Sequence, residues 1–212
     1  MHFNYTDVEL DYLRKKDKKL GEAIDRIGYI ERTVDTDLFS AVIHHIIGQQ
    51  ISVSAQITVW NRLCDLLKDV TAETILSTDI NALQKCGMTF RKAEYITSFS
   101  RSIINKELML EELYDMSDDE VISKLTSIKG IGVWTAEMIL TFCMQRPNVI
   151  SYDDLAIQRG LRMLYRHKKI TRKLFNKYKK RYSPYATTAA IYIWAVAGNA
   201  LLELKDPAQT KK

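Results

Sequence analysis

Two glycines set two apart, Gly130-Ile131-Gly132, lie between stretches whose apolar residues recur at helical spacing. Glycines so placed let the backbone turn sharply and come close to a ligand. They also leave the first amides of the following helix uncovered, and those amides, aided by the helix dipole, attract an anion such as a phosphate. A tight turn between two helices uses the same residues, so the tripeptide alone does not decide between a ligand site and a turn. The second feature is acidic. Asp154 opens an apolar pattern that runs to Tyr165, and a carboxylate at a helix start is kept ionised by backbone amides and the dipole. Such a group can stabilise a developing cation and orient water; it can equally be a plain N-cap. Its neighbour Asp153 reads as solvated or capping. His44 and His45 are adjacent without a spaced set of further ligands, and Cys64, Cys86 and Cys143 form no CxxC pair. A zinc ribbon and a four-cysteine iron–sulfur cluster are therefore excluded, and no catalytic metal is expected. The cysteines read as buried reduced thiols.

These residues need elements to hold them. The chain has 212 residues, 46% hydrophobic, with 8 Gly and 3 Pro. That suits one sizeable domain or two closely packed subdomains, and it excludes global disorder and a turn-rich β sandwich. Asp37 precedes Leu38, Phe39, Val42, Ile43, Ile46 and Ile47, which follow the rule of an amphipathic helix, with Gly48 as its interruption. A second helix reads from about Ser52 to Leu67, with Val53, Ile57, Trp60 and Leu67 on one face. Further helices are expected over 78–83, 90–104, 118–125, 133–144 and 154–165. Ser183-Pro184 opens a last one to about Leu202, since proline fits a first helical turn. The first 35 residues are polar and charge-rich. The longest apolar stretch, Ala189 to Gly198, falls short of the roughly 18 residues of a membrane span, and Asp7, Glu9 and Asp11 argue against a signal peptide. A soluble intracellular protein is expected. The net charge is +5, but it is uneven: residues 159–181 hold 11 basic residues and no acid, and the rest of the chain sums to −6. An anionic partner and a solvated helical face both fit that stretch.

With its flanks, Leu125-Thr126-Ser127-Ile128-Lys129-Gly130-Ile131-Gly132-Val133-Trp134-Thr135-Ala136 resembles the hairpin of the helix-hairpin-helix DNA glycosylase superfamily. That family places an essential Asp after the hairpin in a D-x-x-(I/V)-x-R context, and Asp154-Leu155-Ala156-Ile157-Gln158-Arg159 fits, 22 residues past Gly132. Three more blocks are similar to the DNA-3-methyladenine glycosylase II branch: Ile47-Gly48-Gln49-Gln50-Ile51-Ser52, Gly87-Met88-Thr89-Phe90-Arg91-Lys92-Ala93-Glu94, and Ser183-Pro184-Tyr185 followed by Ile193-Trp194. Larger members of the branch carry an N-terminal β-rich domain, for which the residues before the first block leave no room. Bifunctional relatives place a catalytic lysine two residues after the second hairpin glycine; Trp134 stands there instead.

The resemblance implies an all-α fold of two helical subdomains flanking a DNA-binding cleft, with the helix-hairpin-helix at about 120–144. One subdomain comes from residues 36–145, the other from 1–35 plus 146–212, together one glycosylase domain over 1–212. It implies a monofunctional glycosylase for alkylated purines such as 3-methyladenine and 7-methylguanine in base excision repair. Asp154 is then the catalytic carboxylate, and Trp134 and Trp194 line the pocket for an electron-poor flipped base. At two further positions the pocket tyrosines of relatives are replaced by Met138 and Leu155. Gly130, Gly132 and Lys129 belong to the DNA-binding hairpin, and Gln49, Gln50, Met88 and Phe90 to the loops that wedge into the duplex. Main-chain carbonyls of Thr126, Ile128 and Ile131 match positions that hold a monovalent cation, Na+ or K+, when DNA is bound; no other cofactor is implied. The implied partner is double-stranded DNA with damaged purines, met by a monomer without a membrane, in the nucleoid of a bacterium or the nucleus of a eukaryote. A non-catalytic helix-hairpin-helix module and a glycosylase for another damaged or mismatched base are the alternatives. The first would need neither Asp154 nor the two tryptophans.

Overall fold

A computed structural model describes residues 1–208 as an all-α chain: twelve α-helices and one 3-10 helix, with an isolated bridge between His2 and Thr33 as the only β pairing among the described residues. The backbone divides into two units. One is contiguous, Asp35–Met144; the other joins Met1–Val34 to the chain from Gln145 onward.

The discontinuous unit holds α1 (Asp7–Lys16), α2 (Lys18–Ile27), α10 (Leu155–Tyr165), α11 (Arg172–Tyr182) and α12 (Ala186–Ala197). Local chemistry starts most of them. Thr6 and Glu9 form a capping box on α1, Asp17 accepts from the Leu20 amide to start α2, and Thr171 caps α11. Leu13, Leu20, Ile24, Ile157, Leu161, Tyr182, Tyr192 and Ile193 are buried in one core. The apolar helix α12 packs against α10. The close packing needs Gly160, where a Cβ would lie 2.3 Å from the Ile193 carbonyl oxygen, so glycine sets how closely these two helices approach.

The contiguous unit runs α3 (Leu38–Gly48), α4 (Val53–Leu67), α5 (Ala72–Ser77), α6 (Ile80–Lys85), α7 (Phe90–Ile104), the 3-10 turn Glu111–Asp115, α8 (Asp118–Thr126) and α9 (Val133–Phe142). Asp37, Ser52, Thr71, Asp79, Thr89 and Ser117 cap α3 to α8 in turn. Helix α3 packs on α4, α7 and α9, and α8 pairs with α9 across the hairpin.

Several expectations are corrected. Helix α12 starts at Ala186, not at Pro184, and ends at Ala197. The Tyr185 amide closes a turn onto the Tyr182 carbonyl, which keeps Ser183 and Pro184 in the connection. In α4 the buried stripe is Val59, Leu63 and Leu67, whereas Val53 and Ile57 are exposed. The helix carries two apolar stripes, and α3 covers only one. The polar N-terminal stretch supplies helices, as expected for this subdomain, because Leu10, Leu13, Leu20 and Ile24 face the core between the lysines.

Candidate functional site

The hairpin joins α8 to α9 through residues 127–132. Gly130 has a φ of +98°, in the left-handed region that side chains avoid. A Cβ there would also sit 2.3 Å from Cγ of Tyr95, so the turn is pressed onto the ring of α7. Gly132 is different. It is the N-cap of α9 in extended geometry, and a Cβ on it would meet open space. Every earlier α-helix of this unit has a side-chain cap; α9 starts on glycine without one. Its N-terminus thus presents backbone amides and the positive end of the dipole without a competing side-chain acceptor on the cap.

Around this turn lies a cavity of about 790 Å³, formed by the Gln49–Ile51 loop, the first turns of α7 and the start of α9. Two side chains lock its walls. Gln49 donates from Nε2 to the Gly130 carbonyl at 2.8 Å. Lys92 of α7 donates from Nζ to the carbonyls of Ile47 at 2.7 Å and Gln49 at 2.6 Å. Both carbonyls lie at the C-terminal end of α3, where helical partners run out and a cation is favoured. Burial pushes the Lys92 pKa below that of a free lysine. With its neighbour so held, Gln50 adopts a φ of +58° and is exposed. Gln49 is therefore committed to the hairpin, and Gln50 is the side chain presented outward. Phe90 is 50% exposed, but Met88 is buried, so of that pair only Phe90 stands at the surface. Lys129 is exposed on the hairpin, and Trp134 is partly exposed in the first turn of α9, edge-on to His45. Burial lowers the His45 pKa to about 4, with the neighbouring His44 adding to the effect. Trp60, read with the core, is half-buried edge-on to His44. Among the described residues no cluster of His, Cys, Asp or Glu fits a metal ion.

Asp154 belongs to the other unit. It is the N-cap of α10: Oδ1 accepts from the Ile157 amide at 2.8 Å. The same oxygen accepts from Nε1 of Trp194 on α12 at 3.3 Å. The carboxylate is buried, while Leu155 beside it is 81% exposed. A large apolar side chain so exposed does nothing for the core. Asp153 points elsewhere, exposed and 3.9 Å from Arg172. Arg159 of the same sequence block reaches Asn199, just past α12, at 3.2 Å. The structure thus brings Trp194 to Asp154 within one unit, and Gln49, Gln50 and Trp134 to the hairpin glycines within the other. Sequence reasoning missed Lys92, Tyr95 and Asn199. Lys92 stands in the block that opens α7, but a lysine in an amphipathic helix reads as solvated until its acceptors are known.

Comparison with known proteins agrees in both sequence and fold. The profile described as "HhH-GPD superfamily base excision DNA repair protein" matches residues 43–184. DNA-3-methyladenine glycosylase 1 of Schizosaccharomyces pombe is 32% identical over 82% of this chain and 78% of its own length. A putative DNA-3-methyladenine glycosylase of Bacillus subtilis is 30% identical over 76% of this chain and 59% of its length. The crystal structure of a DNA-3-methyladenine glycosidase from Bacillus halodurans superposes with a TM-score of 0.85 at 30% identity, covering 96% of this chain and 95% of that one. The S. pombe 3-methyladenine DNA glycosylase in complex with abasic DNA gives 0.79 at 28% identity, over 90% and 97%. An uncapped glycine hairpin, a buried Asp at a helix start and these likenesses in sequence and fold converge on one assignment: the chain belongs to the HhH-GPD superfamily of base excision DNA repair proteins.

Proposed function

We propose that the protein is a monofunctional DNA glycosylase that hydrolyses the N-glycosidic bond of alkylated purines in duplex DNA. The observation that carries this is Asp154, a buried carboxylate at the start of α10 whose oxygen is held by an indole N–H. The names of the relatives, DNA-3-methyladenine glycosylases, support the substrate class.

The bond to be cut lies inside the base stack, so the nucleotide must be flipped out. The hairpin amides and Lys129 hold the backbone beside the lesion, and Gln50, with Phe90 from the neighbouring loop, fills the space that the base leaves. As C1′–N breaks, the bonding electrons go to the alkylated purine, which already carries a positive charge and departs neutral. No acid is needed for the leaving group. The sugar passes through an oxocarbenium-like state, and the fixed carboxylate of Asp154 stabilises that cation and orients the incoming water. Water supplies the new C1′–O bond and gives up a proton to the Asp154 carboxylate, which passes it to solvent. The resemblance assigns Trp134 and Trp194 to the base pocket; each ring is partly exposed in its own unit, and a cationic base is attracted to π faces. Trp134, at the position where bifunctional relatives have lysine, has no amine for a Schiff base, so the reaction stops at the abasic site. The carbonyl of Thr126, at the negative end of the α8 dipole, and those of Ile128 and Ile131 in the turn would hold Na+ or K+ when DNA is bound. That ion would add positive charge toward a phosphate. The partner is duplex DNA with damaged purines, engaged by one copy of the chain.

The test is release of free base from duplexes containing 3-methyladenine, 7-methylguanine, ethenoadenine, hypoxanthine or 8-oxoguanine, with strand breaks scored before and after hot alkali. The expected result is release of the methylated purines, breaks only after alkali, and loss of release in Asp154→Asn with DNA affinity retained. Excision by Asp154→Asn at the wild-type rate overturns the role of Asp154. Breaks without alkali overturn the monofunctional reading, and release of none of these bases leaves a DNA-binding module.

A further inference from the structure

Helix α11 carries its charge in an arrangement that helix stability alone disfavours. Its buried side is Phe175, Tyr178 and Tyr182. Its exposed side is Arg172, Lys173, Asn176, Lys177, Lys179 and Lys180, without an apolar residue or an acid. Lys173 and Lys177 are four apart and Lys177 and Lys180 three apart, spacings at which like charges repel along a helix. Arg172 and Lys173 stand in the first turn, against the positive end of the dipole, and no acid shares that turn. Both α1 and α11 end on basic residues that suit the dipole, Arg14, Lys15 and Lys16 in one and Lys179, Lys180 and Arg181 in the other, but α1 has Asp7 and Glu9 in its first turn where α11 has cations and no acid. The basic residues that do have partners on α11 are at its ends, Arg172 with Asp153 at 3.9 Å and Arg181 with the buried Asp17 at 2.5 Å.

The surroundings make this face wider and rigid. The Arg181–Asp17 pair sets exposed Lys16 and Lys18 beside the C-terminal half of α11. Tyr165 of α10 stacks on Tyr178 at 4.2 Å and meets the Tyr182 hydroxyl at 2.7 Å. His167 meets the Tyr178 hydroxyl at 2.8 Å. The helix is thus pinned along its inner side by rings and polar bonds, while its outer side offers only cations and one amide.

We propose that this face is a second surface for the phosphate backbone of duplex DNA, one that acts on undamaged sequence; only the identity of the polyanion rests on the function proposed above. A protein partner needs a desolvated apolar centre in its interface, and α11 offers none. Phosphates need only Lys and Arg, without base recognition. Lys173, Lys177 and Lys180 share one side over about 10 Å of helix, a span that, with the reach of the lysine stems, serves about two to three successive phosphates of one strand. Bound phosphates relieve both the repulsion between the lysines and the conflict with the dipole.

The test measures affinity for an undamaged duplex against salt concentration, using the full chain with Lys173, Lys177 and Lys180 all changed to Gln. The log–log slope is expected to fall in magnitude by about two to three, near one for each phosphate that is no longer neutralised. The triple Lys→Arg variant should keep the wild-type slope. Base release from a short lesion duplex at saturating enzyme in single turnover should be unchanged, and so should the melting temperature. A wild-type slope in the Gln variant overturns the proposal. So does loss of binding to poly-glutamate with an unaltered slope on DNA, which would assign the face to an acidic protein. Because the slope is read on undamaged DNA, it stands or falls separately from excision.

Discussion

At the scale of single residues, the same oxygen of Asp154 does two things. It starts α10 by taking the Ile157 amide, and it takes the Trp194 indole N–H. On the proposed function the tryptophan would then position the carboxylate as well as line the pocket. Trp194→Phe keeps a ring and removes the donor. Hydrogen bonds to charged groups contribute about 1.5–3 kcal/mol, and the long 3.3 Å bond falls at the low end, so single-turnover release should slow roughly tenfold with DNA affinity little changed. A wild-type rate would show that the N–H is not used. His45 makes a separate prediction. Burial holds its native pKa at about 4, while the unfolded chain takes up that proton near 6.5. Between those values the unfolded state binds more protons, so stability falls as pH drops from about 6.5 to 4, by up to ~1.4 kcal/mol per pH unit. In His45→Asn the melting temperature should lose less between pH 7 and pH 5 than in wild type. Parallel curves would contradict it.

At the scale of elements, the two hairpin glycines separate fold from binding. Gly130→Ala puts a methyl into the Tyr95 ring at a positive φ and should cost about 2–3 kcal/mol of stability. Gly132→Ala meets open space; it should cost under ~1 kcal/mol and yet, if the hairpin holds a phosphate as proposed, weaken duplex binding, because the methyl would crowd the amides at the start of α9. Melting curves and binding to an undamaged duplex distinguish the two, and equal loss of stability would refute the distinction. Much of this layer was legible in the chain. Asp37, Asp154 and the glycines announce helix ends through local chemistry, and the apolar spacing of α3, α7 and α8 carries its own period. What stayed hidden is tertiary. No spacing says that Lys92 bonds the carbonyls of Ile47 and Gln49, or that Gln49 turns to Gly130. The two apolar stripes of α4 look alike until α3 covers one, and Met88 looks as surface-bound as Phe90 until its burial is known.

At the scale of the whole molecule, composition indicated helices and a core but not how the chain distributes them. The unit that carries Asp154 takes its core from both ends of the sequence: Leu13, Leu20 and Ile24 pack with Ile157, Leu161 and Ile193. The excess of positive charge belongs to that unit too, on α11. The unit that carries the hairpin is one uninterrupted stretch, Asp35–Met144. This gives synthesis on the ribosome a fixed order. Domains fold as units while the chain emerges, N-terminal parts first. All of the hairpin unit is synthesised before α10 and α12, whereas α1 and α2, made ahead of it, must wait exposed for the last helix. Newborn chains therefore gain the glycine hairpin before the Asp154 carboxylate, and Leu13 and Ile24 are the surfaces for which a chaperone has the longest to compete.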